Sequence, residues 1–145
     1  MNSNSDNPKV GAAFQKAVAE WFQNEYKKPF VLEKKIPIGF SECEKKDHKF
    51  DIVSEDDTFA IECKCYTWTE TGNVPSAKME FANEAAFYLP FLPDTYEKYI
   101  VMSYSKHEKR KETQAEYYYR TNKHLLGSTK VAEYDVKSNT FKVVG

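Results

Sequence analysis

Three residues near the middle of the chain have types and spacing that could do chemistry together: Asp51, Glu62 and Lys64. They lie in Lys49-Phe50-Asp51-Ile52-Val53-Ser54 and Phe59-Ala60-Ile61-Glu62-Cys63-Lys64-Cys65, two short apolar runs separated by the acids Glu55-Asp56-Asp57. That is the pattern of a β-hairpin. With Asp56-Asp57 as a two-residue turn, Asp51 falls opposite Glu62 and Lys49 opposite Lys64. Opposed residues of an antiparallel pair project from the same face, with Cβ atoms about 4.5–5.5 Å apart. Alternation places Glu62 and Lys64 on one face as well. Asp51, Glu62, Lys64 and Lys49 are therefore expected on one side, with Phe50, Ile52, Phe59, Ile61, Cys63 and Cys65 on a core-facing side. Two opposed carboxylates repel unless a cation lies between them. Mg²⁺ takes oxygen ligands and is commonly held by one or two carboxylates with phosphate and water. A lysine two residues on can orient a water or offset charge on a phosphate. Those are the parts of metal-assisted phosphodiester hydrolysis. The plainer alternative is the solvated polar face of an amphipathic hairpin, which matches to short patterns often turn out to be.

The flanking sequence supplies elements to hold such a hairpin. Asn7-Pro8 is a good helix start, Asn as the cap and Pro at the first helical position. Val10, Phe14, Ala17, Val18, Trp21 and Phe22 recur at helical spacing through about Tyr26, and Pro29 stops the run. Phe30–Ile36 is expected as a first strand ending at Pro37 and Gly39. A second helix opens around Gly72–Ser76, with Ala77, Phe81, Ala82, Ala85, Ala86 and Leu89 as its apolar face and Pro90 as its end. Tyr99–Tyr104 is a strand too continuously apolar to be exposed. A third helix is expected from about Glu112 to Leu126, stopped by Gly127. Strands at Lys130–Val136 and Thr140–Val144, joined by a Ser138-Asn139 turn, complete the chain. The order is helix, three strands, helix, strand, helix and a final strand pair. It predicts an α/β fold of the α+β kind, a mixed sheet with helices on its faces.

Composition bounds the rest. The chain has 145 residues, enough for one domain with a real core, expected over residues 8–145. Residues 1–7 read as a short disordered tail with no secretory-signal pattern. No apolar run approaches the roughly 20 residues needed to span a bilayer. Three cysteines do not make a disulfide framework, so a cytoplasmic protein is the simpler expectation. A net charge of −1 argues against coating nucleic acid by bulk electrostatics. Basic residues do cluster at Lys106, Lys109, Arg110 and Lys111, which with Lys49 are the candidate phosphate-backbone contacts; the alternative is a solvated loop.

On these residues the chain resembles the PD-(D/E)XK, or restriction-endonuclease-like, nuclease superfamily. Asp51 matches the first acid of that pattern at the end of the second strand. Glu62-Cys63-Lys64 matches the (D/E)-x-K element in the third. The αβββαβ order over roughly Pro8 to Tyr104 matches the family core, a three-layer arrangement. The resemblance implies catalytic roles for Asp51, Glu62 and Lys64. Asp51, Glu62 and the backbone carbonyl of Cys63 would bind Mg²⁺ or Mn²⁺, and Lys64 would position the attacking water and stabilise the phosphate. Phe50 stands where the naming proline would be. Where several members carry an acid in the first helix, this chain has Gln15, and Glu20 is the nearest acid.

Other constellations are weaker. Cys43, His48, Cys63 and Cys65 could form a zinc set on paper, but their spacing is poor and two of the cysteines point to the apolar side. In Tyr117-Tyr118-Tyr119, consecutive helical residues cannot share a face, so at least one must pack inward. His107 and His124 read as surface residues. Two functions follow: a Mg²⁺-dependent nuclease acting on DNA in defence, restriction or repair, or a catalytically inactive module of the same fold serving nucleic-acid binding or complex assembly. Cutting both strands of a duplex usually takes two active sites, which a homodimer or a larger complex would supply; the sequence leaves open whether the chain works alone.

Overall fold

The computed structural model describes residues 8–145, the side chain of Ala77 excepted. The expected Asn7 cap and the tail lie outside the described residues. The chain forms α1 (Pro8–Tyr26), β1 (Phe30–Ile38), β2 (Lys46–Ser54), β3 (Phe59–Lys64), α2 (Ser76–Tyr88), β4 (Glu97–Ser103), α3 (Gln114–Asn122), β5 (Lys130–Asp135) and β6 (Thr140–Val143). Six strands make one mixed sheet in the order β1-β2-β3-β4-β5-β6. β1, β2 and β3 are an antiparallel meander, α2 and α3 are the crossovers that make β3, β4 and β5 parallel, and β6 returns antiparallel. No described helix is long and apolar enough to cross a membrane.

The helices cover both faces, giving three layers. Phe14, Val18 and Phe22 of α1, four residues apart, pack with Phe30, Ile52, Phe59, Ile61, Tyr99 and Val101 on one face. Met79, Ala82, Ala85, Ala86 and Leu89 pack with Ala115 and Tyr118 of α3 against Phe50, Val53, Ala60, Ile100, Met102 and Val131 on the other. Covered on both faces, β4 buries five consecutive residues, Lys98 to Met102. The ammonium of buried Lys98 is satisfied inside the protein, donating to the Leu92 carbonyl at 2.7 Å. Tyr118 is the inward-packing member of the tyrosine run, and its hydroxyl donates to the Ala82 carbonyl, tying α3 to α2.

Several boundaries differ from expectation for identifiable reasons. Proline is tolerated where no ladder hydrogen bond is lost, and β1 is an edge strand, so it runs through Pro37 to Ile38. α3 ends at Asn122 and gives way to a 3-10 turn over Lys123–Leu125. Its start is set by a capping box, Thr113 accepting from the Glu116 N–H while Glu116 accepts from the Thr113 N–H. Phe81, expected on the buried face of α2, is 51% exposed.

Candidate active site

The hairpin register is the expected one: Ile52 pairs with Ile61 and Val53 with Ala60, which brings Asp51 to the level of Glu62. The turn that sets it is different. Asp57 N–H closes a turn on the Ser54 carbonyl at 3.0 Å, and Asp57 itself is left-handed with φ +57. The Ser54 hydroxyl accepts from both Thr58 and Phe59 N–H. A four-residue connection therefore replaces the two-residue bend, with the same pairing.

Beyond Ile52 and Ile61 the ladder between β2 and β3 gives out, and side chains take over its hydrogen bonds. Asp51 Oδ2 accepts the Cys63 N–H at 2.8 Å, Glu62 Oε2 accepts the Asp51 N–H at 3.1 Å, and the Gln15 amide of α1 donates to the Asp51 carbonyl at 3.2 Å. Glu62 Oε1 is held by His48 Nε2 at 3.0 Å. Glu62 is only 5% exposed. Burial, the Glu62 charge and a direct hydrogen bond to Glu62 push the Asp51 carboxyl up to about 7, against the pull of the Cys63 N–H and Lys64. Burial raises Glu62 as well, opposed by its bonds to Asp51 and by Lys64. Lys64, half-buried at the end of β3, thus acts on both acids. Farther out, Tyr66 is held up to about 12 by burial and by the charges of Asp51 and Glu84.

The expected triad is thus brought together, and its surroundings are partly new. Lys49 is not among them: it is exposed and pairs with Glu33 at 3.3 Å. His48 occupies the position instead. Glu33, opposite Asp51, has a left-handed φ of +53, and strand alternation breaks there. Ile52 packs on the α1 face, whereas Phe50 lies on the α2 and α3 face, not on the side expected for it. His48 sits against Phe50, stacks on Tyr88 of α2 at 4.3 Å, and has its pKa lowered chiefly by burial. Cys63 and Cys65 do pack toward α1, away from His48, so the zinc set does not converge. Glu20 is also elsewhere, in a groove with Tyr134 and Asn139. Gln15 does reach the site, through the backbone of Asp51.

The basic loop after β4 lies beside the carboxyl end of β3. It is built onto the segment after β3: Ser105 Oγ accepts the Trp68 N–H, His107 Nε2 bonds the Glu70 carbonyl at 2.8 Å, and Arg110 Nε donates to the Gly72 carbonyl at 2.7 Å. His107 is thus a structural contact and not a bare surface residue. Gly72 has φ +84, and a Cβ there would come within 2.9 Å of His107 Nδ1, so only glycine suits the position. Arg110 lies 4.3 Å over the Trp68 ring, and Lys106 is turned onto the His107 and Arg110 carbonyls. Lys109 and Lys111 remain exposed.

Among the described residues, no three His, Cys, Asp or Glu side chains form a complete metal-ligand group. The two carboxyls alone fit a hard cation that keeps water and phosphate oxygens in its shell. The N–H of Cys63 faces β2, and in an extended strand the carbonyl of the same residue projects to the same edge. Set against family models, curated proteins and solved structures, the chain matches none of them.

Proposed function

We propose that the protein is a metal-dependent nuclease that hydrolyses phosphodiester bonds in DNA, with the restriction-endonuclease-like core carrying the site. The observation that carries this reading is a pair of carboxyls, half-buried Asp51 and buried Glu62, held face to face where β2 and β3 part, with Lys64 beside them. Keeping two acids buried against one another is costly unless a cation offsets them.

Asp51, Glu62 and the Cys63 carbonyl would hold Mg²⁺ or Mn²⁺. When bound, such an ion lowers the pKa of a coordinated water and offsets phosphate charge. The chain's own groups do the positioning. The Cys63 N–H fixes Asp51, and His48 with the Asp51 N–H fixes Glu62. Lys64 presents an ammonium to the attacking water and to the charge that develops on phosphate. Gln15, an amide in place of an acid on α1, favours a second reading, a non-catalytic module of the same fold. Incubating the protein with DNA in Mg²⁺ or Mn²⁺, and in EDTA, decides between them. Metal-dependent cleavage that disappears in Asp51→Asn and Lys64→Ala supports the nuclease. Cleavage unchanged in those variants, or none by the wild type, overturns it.

A further inference from the structure

A line of rings leads away from the site. His48 stacks on Tyr88 at 4.3 Å, Tyr88 meets Phe87 at 5.7 Å, Phe87 meets Phe91 at 5.4 Å, and Phe91 meets Phe40 at 4.8 Å. The last three rings line a groove of about 650 Å³ with Ala86, Pro90 and Leu125. Phe40 is 89% exposed and Phe87 58%, so this edge of the molecule shows large apolar rings to solvent. A second, smaller hollow, lined by Phe40, Phe87, Tyr88 and Phe91, joins the groove to Lys46, Asp47 and His48.

We infer that this groove is a stacking subsite for an unpaired base, and that the substrate is nucleic acid with a single-stranded segment beside the cleaved phosphate. The inference rests on the nuclease reading above. Three features select this occupant. The groove is continuous with the residue that holds Glu62, so a strand with its phosphate at Glu62 brings a neighbouring nucleotide to Phe87, two ring contacts from His48. Phe40, Phe87 and Phe91 are the largest side chains of the walls, and aromatic rings bind any base through its face. No acid lines the groove itself; exposed Lys46, with Asp47 next to it, lies at one end, and exposed Lys123 and His124 share the 3-10 turn of Leu125 at the other. Aromatic rings with basic groups within reach of the phosphates are what single-stranded nucleic acid requires.

Binding is measured by fluorescence anisotropy in EDTA with a single-stranded oligonucleotide and a blunt duplex of the same sequence. Phe40→Ala and Phe87→Ala are each expected to weaken single-strand binding about tenfold and leave the duplex unchanged. Phe40→Leu, which keeps apolar area without a ring face, should lose binding as Ala does, and Phe40→Trp should keep it. No single-strand binding by the wild type overturns the inference, as do variants that bind like the wild type. So do variants that instead lose self-association in sedimentation, which would make the groove an interface between copies. Cleavage is scored separately. Metal-dependent cleavage with ring-independent binding sinks the subsite and spares the nuclease. Ring-dependent binding without metal-dependent cleavage does the reverse.

Discussion

Asp51 and Glu62 each accept a backbone N–H from the other's strand: the Asp51 carboxyl takes that of Cys63, and the Glu62 carboxyl takes that of Asp51. The two acids therefore replace the missing rungs of the ladder, and their spacing is fixed by backbone. Glu62→Gln, Asp51→Asn and Lys64→Ala should each lower metal-dependent cleavage at least a hundredfold, with circular dichroism unchanged. Because the residues act as a unit, a double variant should be little worse than the single ones.

The pH response of stability follows from Asp51. Its carboxyl titrates near 7 when folded, against 3.8 ordinarily. The folded state thus holds a proton that the unfolded chain releases, and the stabilising contribution is present below about pH 4 and lost as pH rises through about 7. Each pH unit across that window is worth about 1.4 kcal/mol, so the ceiling is about 4 kcal/mol. Urea unfolding in EDTA should show Asp51→Asn more stable than the wild type at pH 8, by about 2 kcal/mol, with the difference vanishing near pH 4. At pH 8, Mg²⁺ or Mn²⁺ should raise the wild-type Tm and leave that of Asp51→Asn unmoved.

His48 acts through Glu62. Removing a hydrogen-bond partner of a metal-binding carboxylate typically costs 10–100-fold in affinity. His48→Ala should weaken Mn²⁺ binding, measured calorimetrically, by about that factor, and His48→Gln should recover part of it. A loss of Tm equal in both variants, with Mn²⁺ affinity intact, would reduce His48 to its packing on Tyr88.

Within the basic loop the charges should separate by role. Arg110, committed to Trp68 and the Gly72 carbonyl, is expected to lower stability by about 1–2 kcal/mol when changed to Ala. Lys109→Ala and Lys111→Ala should leave stability alone, weaken DNA binding, and each reduce the salt dependence by about one phosphate contact.

Much of this was legible in the chain, because the hairpin register depends on apolar alternation and a short acidic connection, both local. The register survived a wrong turn type: four residues around a left-handed Asp57 bring the same pairs together as two would. What local pattern could not show was Glu33. It has a left-handed backbone opposite the point where the alternation of β2 breaks, so that Phe50 lies on the other face and His48, in place of Lys49, stands beside Glu62. The capping box of α3 was readable as Thr113-x-x-Glu116. The exposure of Phe81 was not, since it depends on how α2 is rotated against the sheet.

The same kink at Glu33 has a consequence for the outer margin of the sheet. β1 has a neighbour only in β2, and its far side offers Val31 and Leu32, both more than a third exposed. An extended apolar margin is a template on which stray chains can add. Here the template is interrupted just after Leu32 by the kink, and again at Pro37, which has no N–H to offer. Strand-by-strand growth into fibrils is thereby discouraged at the margin where it would most readily begin.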